Sequence, residues 1–171
     1  QTTYPSWGYM IENGATTLWE LWQRREGSSM NSHNHPMFGS VGAWLYKALA
    51  GITMAPGSVG YEKLILQPQM VRDLKHASGS IETLRGEVGC TWSRADGSVR
   101  VEAVVPVGSA AEVVIPKFNL RTIKVTEGGK ALWEGGKFVP GVAGVEAAAD
   151  KDGAIRIKTG SGRYVFILEG D

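Results

Sequence analysis

The stretch DGSVRVEAVVPV, residues 96–107, carries the pattern that decides the fold of most of the chain. After the Asp96-Gly97 dipeptide, apolar and polar side chains alternate with a period of two, which is typical of a strand with one buried face. Asp-Gly favours the positive φ angles of a two-residue hairpin turn. The stretch therefore predicts a strand that follows directly on a tight turn.

Similar short runs recur from about Gly60 to the end of the sequence. Between these runs lie Gly128-Gly129 and Asp152-Gly153, two further dipeptides that favour hairpin turns. The runs are EKLILQP (62–68), SVRVEAVVPV (98–107), AEVVIP (111–116), RTIKVTE (121–127), AIRIKTG (154–160) and RYVFILEG (163–170). Together they predict an antiparallel β-sandwich of about eight strands. Within the last run, Tyr164 and Phe166 share a phase and are predicted to lie in the core.

The first part of the sequence has a helical period instead. A helix is predicted from Thr17, with Glu20 on the face opposite an apolar stripe. The stripe comprises Ala15, Leu18, Leu21 and Trp22. A second helix is predicted to end at Gly51, and its apolar residues are Val41, Trp44, Leu45, Ala48 and Leu49. Two helices cannot enclose a core by themselves, so this part is expected to belong to a longer protein.

Composition restricts the possible partners. The 171 residues include 18 basic and 17 acidic side chains, and the formal net charge is +1. A chain so close to neutral offers no extended field for nucleic acid or an anionic membrane, and we expect neither as a partner. Cys90 is the single cysteine, which excludes an intrachain disulfide and a cysteine-based zinc site. No apolar run reaches the length of a membrane span.

Aromatic side chains are concentrated at the start of the sequence. The first 22 residues hold Tyr4, Trp7, Tyr9, Trp19 and Trp22. Flat apolar rings with polar edges suit the C–H faces of sugars, and a carboxylate among them could take a proton from water. This clustering indicates a carbohydrate site with Glu20 as its candidate carboxylate.

Structural interpretations of the same residues stay open. Trp22 shares the apolar stripe, which favours a core position. Thr17 and Glu20 have the T-x-x-E spacing of a helix capping box. His35 could reach a ligand hydroxyl or mark the entry to the second helix, and His33 is a weaker candidate.

Two motifs also resemble a known family. YPSWGYMIENGATTLWELW (4–22) and SMNSHNHPMFGSVGAWLYKALAGI (29–52), with the PVGSAAEVVIP and SGRYVFIL strands, resemble the C-terminal end of bacterial α-L-rhamnosidases, glycoside hydrolase family 78. The resemblance implies an α+β fragment. Residues 1–57 would be the last two helices of an incomplete (α/α)6 catalytic barrel, and residues 58–171 a C-terminal antiparallel β-sandwich domain.

The resemblance also implies an activity and its residues. The family hydrolyses terminal α-L-rhamnosyl groups with inversion, so the expected partner is a rhamnosyl glycoside. Glu20 matches the family's general base, and His35 matches a histidine that contacts sugar hydroxyls. Trp7 and Trp19 are expected in the aromatic wall. The general acid would lie upstream in the parent protein, and no metal or cofactor is expected.

Two other interpretations remain. The chain could be a noncatalytic carbohydrate-binding β-sandwich, which would need exposed aromatic residues on the β-domain. The available ones are Tyr61, Trp92, Phe118, Trp133, Phe138, Tyr164 and Phe166. It could also be a purely structural module that stiffens the barrel. If residues 1 to about 55 are instead the end of the barrel, their apolar helices lack their barrel neighbours, and the fragment is expected to self-associate or to be locally disordered there.

Overall fold

The computed structural model of the chain describes residues 1–171, which form two compact units. The first unit is Gln1–Trp44 and the second is Leu45–Asp171. The sequence predicts a domain division at residues 57 and 58. A helical turn at Leu45–Leu49 and a strand at Ile52–Met54 precede that point and belong to the second unit.

The first unit contains short helices. Helix α1 is Trp7–Glu12, and the Ser6 hydroxyl caps it by accepting a hydrogen bond from the Tyr9 backbone N–H at 3.0 Å. Two 3-10 turns follow, at Gly27–Ser29 and Met37–Ser40, and helix α2 is Val41–Trp44. Residues 37–49 are helical throughout, in 3-10, α and then π geometry, so the second predicted helix is confirmed.

The helix predicted from Thr17 is wrong. Helix α1 lies before Thr17 and ends at Asn13-Gly14, where Gly14 has a φ of 83°. The residues that follow hydrogen-bond to a distant loop rather than to each other: the Glu20 N–H donates to the Ser32 carbonyl, and the His35 N–H donates to the Leu18 carbonyl. The capping box is wrong for the same reason, because no helix begins at Thr17. Tertiary pairing has overridden the helical pattern.

The second unit is a sandwich of two sheets. Its strands are β1 (Ile52–Met54), β2 (Lys63–Leu66), β3 (His76–Thr83), β4 (Gly86–Ala95), β5 (Ser98–Val105), β6 (Ala110–Pro116), β7 (Lys124–Glu127), β8 (Lys130–Glu134), β9 (Lys137–Phe138), β10 (Val145–Lys151), β11 (Ala154–Thr159) and β12 (Gly162–Glu169). One sheet has the order β1-β2-β6-β11-β10 and the other β3-β4-β5-β12-β7-β8-β9. Every pair is antiparallel except β2 with β6.

Six predicted strands are confirmed. The predicted number of about eight strands is too low, because the structure has twelve. The six are β2, β5, β6, β7, β11 and β12. The hairpins predicted at residues 96–97, 128–129 and 152–153 join β4 to β5, β7 to β8 and β10 to β11. Several missed strands have weak patterns: β3 (HASGSIET) has no buried residue and β9 is two residues long. The α+β class with an antiparallel sandwich is as predicted.

The core of the second unit lies between the two sheets. Tyr164 and Phe166 are buried there as predicted, at 5% and 0% exposure. Trp92 is fully buried, and its indole N–H donates to the Leu49 carbonyl at 2.7 Å. Cys90 is also buried, and burial raises the pKa of its thiol to about 12. These side chains give the β-sandwich a continuous apolar interior.

Candidate functional site

The candidate site in the first unit is built on two chain segments that hydrogen-bond to each other. Residues 17–20 lie beside residues 32–35, through Glu20 N–H to Ser32 O at 2.8 Å and His35 N–H to Leu18 O at 2.8 Å. The Thr17 hydroxyl donates to the His33 carbonyl in the same ladder. The pairing places Glu20 and His35, which are far apart in sequence, on adjoining segments.

The Glu20 carboxylate is held by one oxygen. Its Oε2 accepts a hydrogen bond from the Ser32 backbone N–H at 2.9 Å. Its Oε1 has no protein hydrogen-bond partner, and no cation forms an ion pair with the side chain, which is half-buried. A carboxylate fixed at one oxygen and free at the other can accept a proton from a bound water molecule.

His35 and His33 are placed differently. His35 Nδ1 accepts a hydrogen bond from the Met37 N–H at 3.2 Å, so a neutral ring carries its proton on Nε2 and can donate it. His33 Nε2 lies 3.1 Å from the Arg25 carbonyl oxygen, and its ring centre lies 5.6 Å from that of Trp19. His33 is therefore occupied by protein contacts, whereas His35 Nε2 is not.

The aromatic residues form a partly open wall. Trp7 is 40% exposed, and its ring meets Trp22 edge-on with centres 5.3 Å apart. Trp22 in turn stacks on Phe38 at 4.0 Å. Trp19 is only 3% exposed, so it packs within the first unit beside His33 while Trp7 offers the accessible ring.

Two contributors were not found from the sequence. Ser32 acts through its backbone N–H, which any residue except proline supplies, so no sequence signal marks it. Phe38 supports Trp22 from the predicted second helix, and only its aromatic character could have suggested this.

A small apolar cavity also lies in the first unit. Its volume is about 230 Å³ and it contains neither Glu20 nor His35. It is lined by Trp7, Met10, Ile11, Ala15, Thr16, Thr17 and Leu18. No three His, Cys, Asp or Glu side chains in the chain come together as a metal site. None of the helices has the length and apolar character needed to cross a bilayer.

Family models match most of the chain. Residues 1–49 match the bacterial alpha-L-rhamnosidase 6 hairpin glycosidase domain, and residues 51–130 match the bacterial alpha-L-rhamnosidase C-terminal domain. The chain belongs to the bacterial α-L-rhamnosidase family. The resemblance and the fold class inferred from the sequence are thereby confirmed, and the first domain match ends at Leu49 while the second begins at Gly51.

Relatives named α-L-rhamnosidase share substantial identity with the chain. One from Formosa agariphila is 40% identical over 129 residues, which are 72% of this chain and 14% of the relative. One from Streptomyces avermitilis is 37% identical over 134 residues, 75% of this chain and 13% of the relative. The chain therefore spans about one seventh of the length of these relatives.

Solved α-L-rhamnosidase structures share the fold. The enzyme from Dictyoglumus thermophilum matches with a TM-score of 0.83 at 41% identity, over 99% of this chain and 18% of that one. The Streptomyces avermitilis α-L-rhamnosidase, complexed with L-rhamnose, matches with a TM-score of 0.75 at 32% identity, over 99% of this chain and 15% of that one.

Proposed function

We propose that the chain is the part of an inverting α-L-rhamnosidase that carries the general base, Glu20. The observation that supports this best is the carboxylate itself, which is fixed through Oε2 to the Ser32 N–H and free at Oε1. It lies within residues 1–49, the region that matches the six-hairpin glycosidase domain. The substrate class is a glycoside with a terminal α-L-rhamnosyl group.

Inversion needs two carboxyl groups on opposite sides of the sugar, roughly 6.5–9.5 Å apart. Glu20 Oε1 takes a proton from a water molecule as the water oxygen forms a bond to the anomeric carbon. The bond from that carbon to the leaving oxygen breaks, and the leaving oxygen takes a proton from a carboxylic acid of the upstream catalytic domain. Glu20 thus supplies half of the acid–base pair, and the parent protein supplies the other half.

The neighbouring residues would bind the sugar. The Nε2–H of neutral His35 is free to donate to a sugar hydroxyl, because Nδ1 is engaged by the Met37 N–H. Trp7, with its accessible ring, would stack on the C–H face of the sugar. Trp19 would contribute from its buried position by packing against His33 beside the Glu20 segment.

The same proposal assigns the domains. Residues 1–57 would end the catalytic barrel and residues 58–171 would form the C-terminal β-domain, so the parent protein's upstream residues are obligatory partners of Glu20. Neither a metal nor a cofactor has a role in this chemistry.

The stereochemistry of the parent enzyme tests the proposal. Proton NMR during hydrolysis of an aryl α-L-rhamnoside should show β-L-rhamnose first, with the α anomer growing only by mutarotation. Early α anomer would mean retention, and Glu20 could not then be the base of a single displacement. No release of rhamnose from any aryl rhamnoside would remove the assigned substrate class.

A further inference from the structure

A cleft in the second unit has no part in the proposed hydrolysis. It lies between the tip of the β4–β5 hairpin and the loop that follows β6, and its volume is about 390 Å³. It is lined by Lys75, Arg94, Ala95, Asp96, Gly97, Ser98, Val99, Phe118, Asn119 and Leu120. This volume lies in the range of roughly 300–1,000 Å³ that is usual for small-molecule sites.

Both walls of the cleft are fixed to the C-terminal residues. The Gly97 carbonyl of the hairpin tip accepts a hydrogen bond from the Gly170 N–H at 3.1 Å. On the opposite wall, the Arg121 N–H donates to the Asp171 carbonyl at 2.7 Å. The cleft is therefore bounded by backbone that is held in place before any ligand arrives, which lowers the entropy lost on binding.

Phe118 places an aromatic ring at the mouth of this cleft. It is 48% exposed, whereas Trp92, Trp133 and Phe166 of the same unit are at most 6% exposed. Its φ of 51° is unfavourable for a bulky residue. Such backbone persists only where the surrounding structure holds it, so the position of the Phe118 ring is set by its neighbours.

Polar side chains also line the cleft. The Arg94 guanidinium lies 5.3 Å from the Phe118 ring centre, and its Nε donates to the Leu74 carbonyl at 2.9 Å. Its two terminal nitrogens, the Lys75 ammonium and the Asp96 carboxylate form no ion pair or side-chain hydrogen bond. Three of the six other arginines of this unit pair with acids; they are Arg100, Arg156 and Arg163.

We propose that this cleft is a noncatalytic binding site for a sugar ring. Sugar hydroxyls both donate and accept hydrogen bonds, so a sugar site combines donors and acceptors; here Arg94 and Lys75 are donors and Asp96 is an acceptor. The Asn119 amide adds one of each kind. The C–H face of the sugar packs on Phe118, the exposed aromatic ring of the cleft.

The proposal goes beyond the hydrolysis and does not depend on Glu20. Its test is a titration of the whole ¹⁵N-labelled chain, followed by amide NMR, with L-rhamnose and separately with cellobiose. The choice of L-rhamnose as a probe rests on the proposed function, whereas the choice of cellobiose rests only on the side chains of the cleft. Saturable shifts at Asp96, Phe118 and Asn119 with either sugar are expected. Their absence with both sugars overturns the proposal, and shifts confined to residues 7–35 support the hydrolytic site while overturning this one.

Substitutions sharpen the result. Phe118→Asn removes the ring while keeping a residue that tolerates positive φ, and should weaken sugar binding roughly 3- to 10-fold. The matched control is Tyr46→Ala, which removes another exposed ring of the second unit (46% exposed) and should leave the affinity unchanged. Equal affinities of Phe118→Asn and wild type would overturn the proposal. Sodium sulfate that reproduces the sugar shifts would also overturn it, in favour of an anion site.

Discussion

Glu20 and Ser32 are joined by a reciprocal pair of hydrogen bonds. The Ser32 N–H donates to Glu20 Oε2 at 2.9 Å, and the Glu20 N–H donates to the Ser32 carbonyl at 2.8 Å. The position of the carboxylate is thus set by backbone atoms, which have far less rotational freedom than a side-chain partner. An aligned carboxylate of this kind needs little reorganisation when it accepts a proton.

The first prediction concerns Glu20→Gln in the full-length parent enzyme. The amide cannot take the proton from water, so kcat should fall by at least roughly 10²- to 10⁴-fold. The amide oxygen can still accept from the Ser32 N–H, so the free energy of unfolding should change by no more than about 1 kcal/mol. Turnover of an aryl α-L-rhamnoside and urea unfolding measure the two effects. Ser32→Ala keeps the backbone N–H and is the control; near-normal turnover by Glu20→Gln would remove the assignment.

The second prediction compares two histidines in the parent enzyme. His35→Ala should lower kcat/KM by roughly 10- to 100-fold, because it removes a donor to the substrate from a site built around that hydrogen bond. His33→Ala should act mainly on stability, since His33 contacts the Arg25 carbonyl and Trp19. Steady-state kinetics at a temperature where both variants are folded separates them. Similar losses of kcat/KM would show that His35 has no special role.

The third prediction concerns alkaline pH and Cys90. Burial raises the pKa of this thiol from its ordinary 9.0 to about 12, so the folded chain keeps a proton that the unfolded chain loses above pH 9. Between pH 9 and about 12 the unfolded state therefore binds fewer protons than the folded state, and the free energy of unfolding falls by about 1.4 kcal/mol per pH unit. Below pH 9 the thiol is protonated in both states, so the stability that the buried thiol contributes is fully present.

Urea unfolding between pH 8 and 11 measures this slope. Cys90→Ala removes the thiol, so the difference in unfolding free energy between wild type and variant should shrink as pH rises. Tyr164 also has a pKa raised by burial, and by Glu127 and Glu146, but it contributes equally to both proteins. A difference that stays constant with pH would show that the thiol does not titrate as expected.

The fourth prediction concerns the buried Trp92. Trp92→Phe should lower the free energy of unfolding by about 2–4 kcal/mol, from the lost volume and from the Leu49 carbonyl left without its donor. Trp133→Phe is the matched control, because Trp133 is almost as buried but its indole N–H bonds to no protein group. The control should lose less stability. Equal losses would mean that the Leu49 hydrogen bond adds nothing.

The fifth prediction concerns the chain by itself. Its first unit exposes many large apolar side chains: Trp7, Ile11, Leu21, Met30, Met37 and Trp44. An exposed apolar surface of this kind favours self-association. Sedimentation should therefore show concentration-dependent oligomers, which Ile11→Asp should weaken because Ile11 is the most exposed of the six, at 69%. A monomer at all concentrations would contradict the prediction.

Activity of the isolated chain is a separate measurement on the same material. Inversion requires an acid that the proposed function places upstream of residue 1, so an aryl α-L-rhamnoside should not be hydrolysed. Measurable turnover by the purified chain would show that the acid lies within it.

The sequence predicted strands better than helices for a physical reason. β5 and β12 bury one face against the opposite sheet, so alternation in the sequence reports their surroundings directly. Residues 17–20 instead satisfy their backbone groups on residues 32–35, and a helical spacing of apolar residues carries no information about that partner. Local patterns predict structure where burial is periodic, and they fail where a loop supplies the hydrogen bonds.

The candidate site could likewise be predicted from the sequence only in part. Glu20, His35 and Trp7 could be proposed from residue types and from the resemblance. The role of Ser32 could not, because its contact uses the backbone, and the burial of Trp19 could not, because it depends on the path of the loop. The roles of Glu20, His35, Trp7 and Trp19 in catalysis stay predictions.

The position of β12 has a consequence for synthesis on the ribosome. This strand, Gly162–Glu169, lies between β5 and β7 in the seven-stranded sheet, although it is the last strand to be made. Until it emerges, β5 and β7 have no shared neighbour, and the sheet exists as two separate groups of strands. The seven-stranded sheet therefore cannot be completed before Glu169 has been synthesised, and it depends on long-range pairing that is slow to form. A chain truncated after Ser161 would lack the strand that joins the two groups, and its unpaired strand edges would be exposed to aggregation.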